Sequence, residues 1–502
     1  MNTEKLPKLT VREKAGYGCG DLASNFIWAS AGNFQNFFYT DIFRLAPAAV
    51  AIVMLVSRLF DGFVDVAVGA LADRTKTKWG KFRPYLLWWV LPVAVLFVMN
   101  YTVPPKSWDL HFFTIPGWSF FGYPIDAAPI TGYLVYAWIT ATVLMSFYSA
   151  INIPYGALSG VMTDDPADRN SLGAYRMAFA NIGGFIVTGL TIPLMIFFGT
   201  GSNGILDKAK GYQGAVVIFA ILMAIFFLIT FFTTRERIQP PPAQKTCFKD
   251  DFKTLFKNGP WVIMSVFAII NMTLVIARSS NAYYYYHYSI GLMDSAMNIL
   301  PVDIFGLHLF NWDKTSGLYV WGGITFVIGT MFTQPTVKLF GKKYAFILTT
   351  ALSGVALFPY YFIPAGHVGT VMIVIFVAQF FSGIAAALYW SMLGDIADYS
   401  EWKFNLRNTG LIFSSTTFAQ KAGMAIGGVL VNVVLWKVHY VPDVVQGRDT
   451  LQGINMVASF VPGIGTVLIA LLFLGYILDD NFCARMREDL NQRRLERGQQ
   501  PV

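Results

Sequence analysis

The chain has 502 residues, of which 55% are hydrophobic, 16% aromatic and only 13% charged, with a formal net charge of +8. Soluble domains carry about a quarter charged residues, so a water-soluble globule is excluded and a polytopic membrane protein is indicated. The three cysteines, Cys19, Cys247 and Cys483, have no metal-ligand spacing, and no nucleophile, nucleotide or nucleic-acid constellation is present, which argues against an enzyme.

The start, MNTEKLPKLTVREK, is polar and shows no apolar core followed by a cleavage site, so no signal peptide is expected. Apolar runs of spanning length follow at about 15–40, 48–72, 84–103, 132–158, 172–198, 212–233, 260–287, 315–337, 344–363, 369–393, 408–436 and 453–478. They predict twelve transmembrane helices in an all-α chain. Most of the 37 Lys and Arg residues fall in the N-terminal segment, in every second connection and in the tail, which places both termini in the cytosol. The predicted organisation is a six-helix bundle over 1–233, a basic linker over 234–259, a second six-helix bundle over 260–478 and a cytosolic tail over 479–502. Pro240, Pro241 and Pro242 stiffen the linker, and Phe248–Lys257 reads as an amphipathic surface segment. Cys19 falls in a membrane helix and the other two cysteines in cytosolic segments, so no disulfide is expected. Two outer connections, Pro104 to Thr131 and Ser289 to Lys314, are long enough to be lids, partner sites or tolerated insertions.

The charges inside these apolar runs carry the functional reading. In the first helix Asp21 has Tyr17 and Asn25 one turn to either side; it is a sugar-hydroxyl acceptor or half of an ion pair. In the second, Arg58, Asp61 and Asp65 lie within roughly 60° of one another around the helix. A charge at bilayer depth costs a few kcal/mol, about 2.5–3.5 on insertion scales. The bland reading is one structural ion pair. One arginine cannot neutralise two aspartates, however, and the spare carboxylate indicates a proton or cation site. The loop Gly69–Pro84 starts G-A-L-A-D-R and stays basic, with Asp73 and Arg74 at the cytosolic end of the helix.

On the fourth helix Tyr148, Asn152 and Tyr155 share a face, with Ser149 beside them; Arg176 follows on the fifth. Arg278 stands in the middle of the seventh helix, in V-I-A-R-S-S-N-A-Y-Y-Y-Y. The tenth helix ends W-S-M-L-G-D-I-A-D-Y-S-E-W-K, Trp390 to Lys403, with Arg407 beyond it. Lys421 lies in F-A-Q-K-A-G of the eleventh.

Four stretches together carry a resemblance: Tyr17–Asn25, Arg58-x-x-Asp61-x-x-x-Asp65, N-I-P-Y-G-A-L-S-G-V-M-T-D-D-P-A-D-R-N-S-L-G-A-Y-R (Asn152 to Arg176), and Trp390–Lys403. In combination they resemble the glycoside–pentoside–hexuronide:cation symporters, and Gly69–Arg74 resembles the loop signature of the major facilitator superfamily. The resemblance implies a major facilitator fold and alternating access. It also implies a substrate site built from Asp21, Asn25, Tyr148, Asn152, Arg176, Arg278, Trp390 and Lys421. Asp61, Asp65, Ser149 and Lys421 are the implied cation-coupling residues; Asp73, Arg74, Asp395, Asp398, Glu401 and Arg407 read as a gate network. The chain departs from the family pattern at Asn152, where an aspartate is usual, and at Gly156, where a sugar-platform tryptophan is usual. It departs again at Val64 (asparagine) and Ser149 (threonine). Loss of an oxygen ligand weakens a sodium site, and two close carboxylates favour a shared proton, so H+ is the expected coupling cation and Na+ the alternative. No cofactor, metal or nucleic-acid partner is expected; the partners are a sugar or glycoside and the bilayer, in a functional monomer of a bacterial inner membrane. A lysolipid transporter of the same fold is the competing reading, and the polar set Asp21, Asn152 and Arg176 argues against it.

Overall fold

The structure, a computed structural model, describes residues 8–75, 77–115, 118–120, 123–125, 128–163, 166–201, 204–237, 255–292, 299–304, 307–404 and 409–496. Among these, nine helices are long and apolar enough to cross a bilayer, and ten when one bent pair is taken as a single span. The helices of residues 11–33 and 47–74 lie outside that count although they have 23 and 28 residues; their length includes Asp21 and the Arg58, Asp61, Asp65 triplet. The all-α polytopic architecture is thus present, with segments at each of the expected spans.

The chain divides into two compact units, Met1–Ala243 with Leu292–Val320 and Asn432–Gln446, and Gln244–Gly291 with Trp321–Val431 and Gly447–Val502. These bounds differ from the linear division at 234–259. The physical reason is a set of contacts that ties residues 432–446 to the first unit. Asn432 Nδ2 donates to Asn36 Oδ1 (2.6 Å), the Tyr440 hydroxyl donates to the buried Asp41 carboxylate (2.5 Å), and Lys208 Nζ pairs with Asp443 (2.6 Å). Residues 238–254, including Cys247, the three prolines and most of the expected surface segment, lie outside the described residues.

The first unit contains α1 (Val11–Asn33), α2 (Pro47–Arg74), α3 (Arg83–Asn100), α4 (Gly132–Met162), α5 (Pro166–Gly199) and α6 (Lys208–Thr233). Thr10 and Glu13 start α1 with a reciprocal capping box, each side chain accepting from the other's backbone N–H. Pro47 opens α2 at its first turn, where a missing N–H costs nothing. The chain leaves α1 through a π-helical turn, Phe38–Ile42. Close packing of α1 needs two glycines. A Cβ on Gly20 would fall inside the Tyr155 ring of α4, and one on Gly183 of α5 would lie 2.6 Å from the Leu22 carbonyl oxygen.

The outer connections hold strands, which the all-helical expectation missed. In the first, β1 (His111–Ile115) pairs antiparallel with β4 (Ala128–Thr131), and β2 (Trp118–Phe120) with β3 (Tyr123–Ile125). In the second, β5 (Ile299–Ile304) pairs with β6 (Leu307–Asp313), and β6 lies against α5. Aromatic and β-branched residues between Pro and Gly turns favour strands over helix in both places.

The second unit contains α7 (Gly259–Tyr284), α8 (Lys314–Met331) from Trp321 on, α9 (Thr333–Phe340), α10 (Lys342–Val355), α11 (Val368–Phe404), α12 (Thr409–Lys437) up to Val431, α13 (Arg448–Ala458), α14 (Phe460–Leu472) and α15 (Asp480–Glu496). The expected eighth span is α8 plus α9, bent by 48°. The expected twelfth is α13 plus α14, broken at Ser459. Like α1, α7 runs into a π-helical turn, Tyr285–Ser289. The core of the second unit is aromatic: Phe267, Phe346 and Phe473 pack tilted or edge-on with ring centroids 4.6–5.3 Å apart, and Tyr389 and Tyr476 close the cluster. The tail is not a free extension, because α15 packs on α11.

Candidate functional site

In the first unit the α1 acid and the α5 base meet. Arg176 Nε donates to Asp21 Oδ2, and its Nη2 reaches Asp21 Oδ1 at 3.3 Å, so both carboxylate oxygens are engaged. The guanidinium also lies over two rings, 5.8 Å from the Tyr17 centroid and 5.3 Å from that of Tyr155. Those tyrosines stack at 4.9 Å, and the Tyr155 hydroxyl donates to the Tyr17 carbonyl oxygen at 2.8 Å. The pair is thereby fixed on an aromatic floor contributed by α1 and α4. Both readings of Asp21 stay compatible with this geometry: an ion-paired carboxylate still has lone pairs for a hydroxyl.

Around the pair, Ser24 Oγ donates to Asn152 Oδ1 (3.3 Å), and Asn25 Nδ2 donates to its own helix at the Asp21 carbonyl (2.9 Å). Tyr148 stacks on Trp28, centroids 6.3 Å apart. A Cβ added at Gly156 would meet no atom within 4 Å, so the position that carries a platform tryptophan in the family pattern opens here onto free space.

Next to this group, on α2 and the same α4, Ser149 Oγ donates to Asp61 Oδ1 at 2.5 Å, and Asp61 is only 2% exposed. Asp65 is half-buried one turn further along. Among the described residues Arg58 has no carboxylate within ion-pair distance. Its guanidinium lies over the Trp28 ring, 5.2 Å from the centroid, and Nη1 approaches Met145 Sδ at 3.5 Å. Asp61 is nonetheless close enough to act on the Arg58 guanidinium electrostatically.

In the second unit Arg278 lines a small cavity of about 40 Å³ with Asn271, Ser353, Gln379, Ser382 and Thr466. That space holds a water molecule or two. Lys421 is half-buried on α12, beside Gln420, whose amide reaches the Tyr389 hydroxyl at 3.4 Å; Trp390 is 43% exposed, its ring 5.5 Å from that of Tyr389.

The acids at the C-terminal end of α11 are engaged, and their partners were not visible in the sequence. Asp395 accepts from Lys342 Nζ (2.5 Å) and Arg487 Nη2 (2.8 Å), while Arg487 Nε stands 3.9 Å from Asp398. Trp402 Nε1 donates to Asp489 (3.1 Å), and Arg493 Nη1 to the Trp402 carbonyl oxygen (3.0 Å). Glu401 is half-buried in the same stretch of α11. Arg407 and the side chains of Asp73 and Arg74 lie outside the described residues. The loop that follows Arg74 is held by a residue the motif does not contain. The Glu236 carboxylate accepts the N–H groups of Lys81 (2.8 Å), Phe82 (2.7 Å) and Arg83 (2.9 Å) at the start of α3.

Residues 16–480 match the family described as MFS/sugar transport protein. The chain belongs to this family. Over 469 residues it is 32% identical to the inner membrane symporter YicJ of Escherichia coli, covering 93% of this chain and 92% of that protein. It is 28% identical to the putative glycoside/cation symporter YagG of the same organism (93% and 92% covered) and 29% identical to the isoprimeverose transporter of Lactiplantibacillus pentosus (96% and 92%). Among solved structures, the nucleoside transporter NupG superposes with a TM-score of 0.61 at 13% identity, covering 93% of this chain and all of that one, which supports the fold. The chain is therefore a multi-pass membrane transporter of the major facilitator type and not an enzyme.

Proposed function

We propose that this transporter is a cation-coupled symporter that imports a glycoside, pentoside or hexuronide across a bacterial plasma membrane, with both termini cytosolic. The observation that carries the reading is one helix, α4, serving two polar groups. Ser149 holds Asp61, and within two turns Tyr148, Asn152 and Tyr155 stand beside the Asp21–Arg176 pair. A carboxylate, a guanidinium and amides beside aromatic rings suit a polyhydroxyl ligand, since charge-assisted hydrogen bonds discriminate hydroxyl geometry. The relatives named as symporters and as a glycoside/cation symporter support the same assignment.

Asp61 and Asp65 carry the coupling cation in this reading, and the cation is a proton. Val64 supplies no oxygen beside Asp65, and Ser149 spends its hydroxyl hydrogen on Asp61. Asp73, Arg74, Asp395, Asp398, Glu401 and Arg407 form the cytosolic gate, and Trp390 and Lys421 complete the sugar and cation sites.

The substrate is acidic. The membrane interior holds Arg58, Arg176, Arg278 and Lys421 against Asp21, Asp61 and Asp65, and an unpaired cation at that depth is costly. Arg176 is occupied by Asp21, and Arg278, which lines a cavity, is the guanidinium proposed to grip a carboxylate in two-point fashion, a geometry that lysine lacks. The test is uptake of matched substrates, a glucuronide and the corresponding glucoside, by Arg278→Lys and Arg278→Ala. Both variants should lose the glucuronide at least tenfold more than the glucoside. Equal losses would leave Arg278 a structural charge and the substrate neutral.

A further inference from the structure

The cavity at Arg278 is assembled by four helices of the second unit. Asn271 and Arg278 come from α7, Ser353 from α10, Gln379 and Ser382 from α11, and Thr466 from α14. The Ser353 hydroxyl is spent within the protein, donating to the Thr350 carbonyl oxygen at 2.7 Å. The other five side chains have neither a hydrogen bond nor an ion pair with any of the described residues. Each can donate: a guanidinium offers five N–H groups, an amide two and a hydroxyl one. No acid is built in to balance the charge. Helices α7, α10 and α14 contain no Asp or Glu, and on α11 the first is Asp395, thirteen residues beyond Ser382 and roughly 20 Å along the helix. The guanidinium acts electrostatically on Tyr286 and Tyr360, whose phenols carry no charge to set against it.

We propose that this cavity is a chloride site, in which Arg278 supplies the charge and Asn271, Gln379, Ser382 and Thr466 supply the surrounding hydrogen bonds. A guanidinium at bilayer depth is costly until an anion compensates it. Water in the cavity accepts hydrogen bonds but leaves the charge unbalanced; a monovalent anion does both. A volume of about 40 Å³ admits a species of water's size and not a sugar ring. Chloride matches that size and charge. Being spherical, it accepts from donors in any direction and needs no planar fork. A carboxylate is the other monovalent anion of the same chemistry, so an acidic sugar that reaches Arg278 must displace the chloride. That displacement, and nothing else here, rests on the acidic-substrate reading given above.

The experiment is a titration of the purified full-length protein with radiolabelled chloride in a sodium sulfate medium, read by scintillation proximity. Saturable binding is expected. Arg278→Ala should weaken it at least about tenfold, as the loss of a hydrogen-bonded charge partner does. Thr466→Val and Ser382→Ala change the volume little and should each weaken it several-fold. Arg278→Lys keeps the charge and loses only the fork, so it should bind chloride within about threefold of the wild type. Chloride binding that never saturates in the wild type overturns the proposal. So does binding that Arg278→Ala and Thr466→Val both leave at wild-type affinity. A glucuronide, but not the matched glucoside, should raise the apparent Kd for chloride. If the glucuronide leaves chloride binding unchanged, its carboxylate does not reach Arg278 and the acidic-substrate reading fails with the chloride site intact. Selective loss of glucuronide uptake in Arg278→Ala, with no chloride bound by the wild type, is the opposite result: the chloride site falls and the acidic substrate stands.

Discussion

Asp61 and Arg176 illustrate two ways of keeping a charge inside a bilayer. Arg176 meets Asp21 directly and rests on the rings of Tyr17 and Tyr155, so it is neutralised by the protein itself. Asp61 accepts a hydrogen bond from the hydroxyl of Ser149. For the coupling role proposed for Asp61 and Asp65 the expected outcome follows. Asp61→Asn and Asp65→Asn each lower concentrative uptake in energised vesicles to the equilibrium level, while substrate exchange persists in at least one of them. Accumulation at the wild-type level in either variant removes that residue from the coupling site. Much of this was legible in the sequence because a charge in an apolar run stands out by its cost. The contacts of Trp28 with Arg58 and Tyr148 were not legible, because nothing in the sequence sets it apart from the other tryptophans of the chain's 13. Glu236 was equally hidden, since a carboxylate capping three backbone N–H groups is a property of loop geometry rather than of spacing.

At the scale of elements, the apolar runs located the helices, and their ends departed where polar partners decide. The N-terminal strap and α15 are the two clearest cases, both being charged segments whose partners lie far away in the chain. Leu9 N–H (2.8 Å) and Lys14 Nζ (2.7 Å) both bind the Asp168 carboxylate at the start of α5. The Lys14 hydrogen bond first, then that of Leu9, holds the Asp168 carboxyl below its ordinary range. A depressed native pKa contributes stability that is complete above the unfolded value, about 3.9, and is lost as pH falls through the lower native value. Hydrogen exchange at residues 9–14, corrected for intrinsic rates, should therefore stay slow from pH 7 down to about 4 and quicken below it. Asp168→Asn should show the fast behaviour already at pH 7. For α15 the reporter is Cys483, buried against α11, whose thiol is pushed up to about 11, first by burial and then by the Asp395 charge. It should resist maleimide at pH 7.5 in the wild type and react at least tenfold faster in Arg487→Ala, which frees the helix from Asp395 and Asp398. Equal rates would mean that α15 is held by its apolar contacts alone. The hairpins in the outer connections were missed because a helix-period search passes over short aromatic strands, and nothing in a lone sequence says which distant segment they lie against.

For the molecule as a whole, the cation coupling proposed for Asp61 and Asp65 sets a thermodynamic yield that can be stated in advance. One positive charge moving inward across 100 mV supplies about 2.3 kcal/mol, which corresponds to roughly fifty-fold accumulation of a neutral ligand. An acidic substrate carried with one proton moves no net charge, and its gradient is then driven by the pH difference alone. The coupling ion and the substrate charge are thus read together in vesicles. A glucuronide taken up with one proton should respond to an imposed pH gradient and hardly to a potassium–valinomycin potential, whereas a neutral glycoside should respond to both. In de-energised cells in a weakly buffered medium, addition of substrate should alkalinise the medium as protons enter with it. The departure at Val64 from the family pattern is what makes the proton the expected ion, because it removes an amide oxygen that a sodium shell uses, while Ser149 keeps its hydroxyl oxygen and donates its hydrogen to Asp61. Uptake that ignores pH and protonophores and rises with sodium would assign the site to sodium, with Ser149 turned to offer its oxygen rather than its hydrogen.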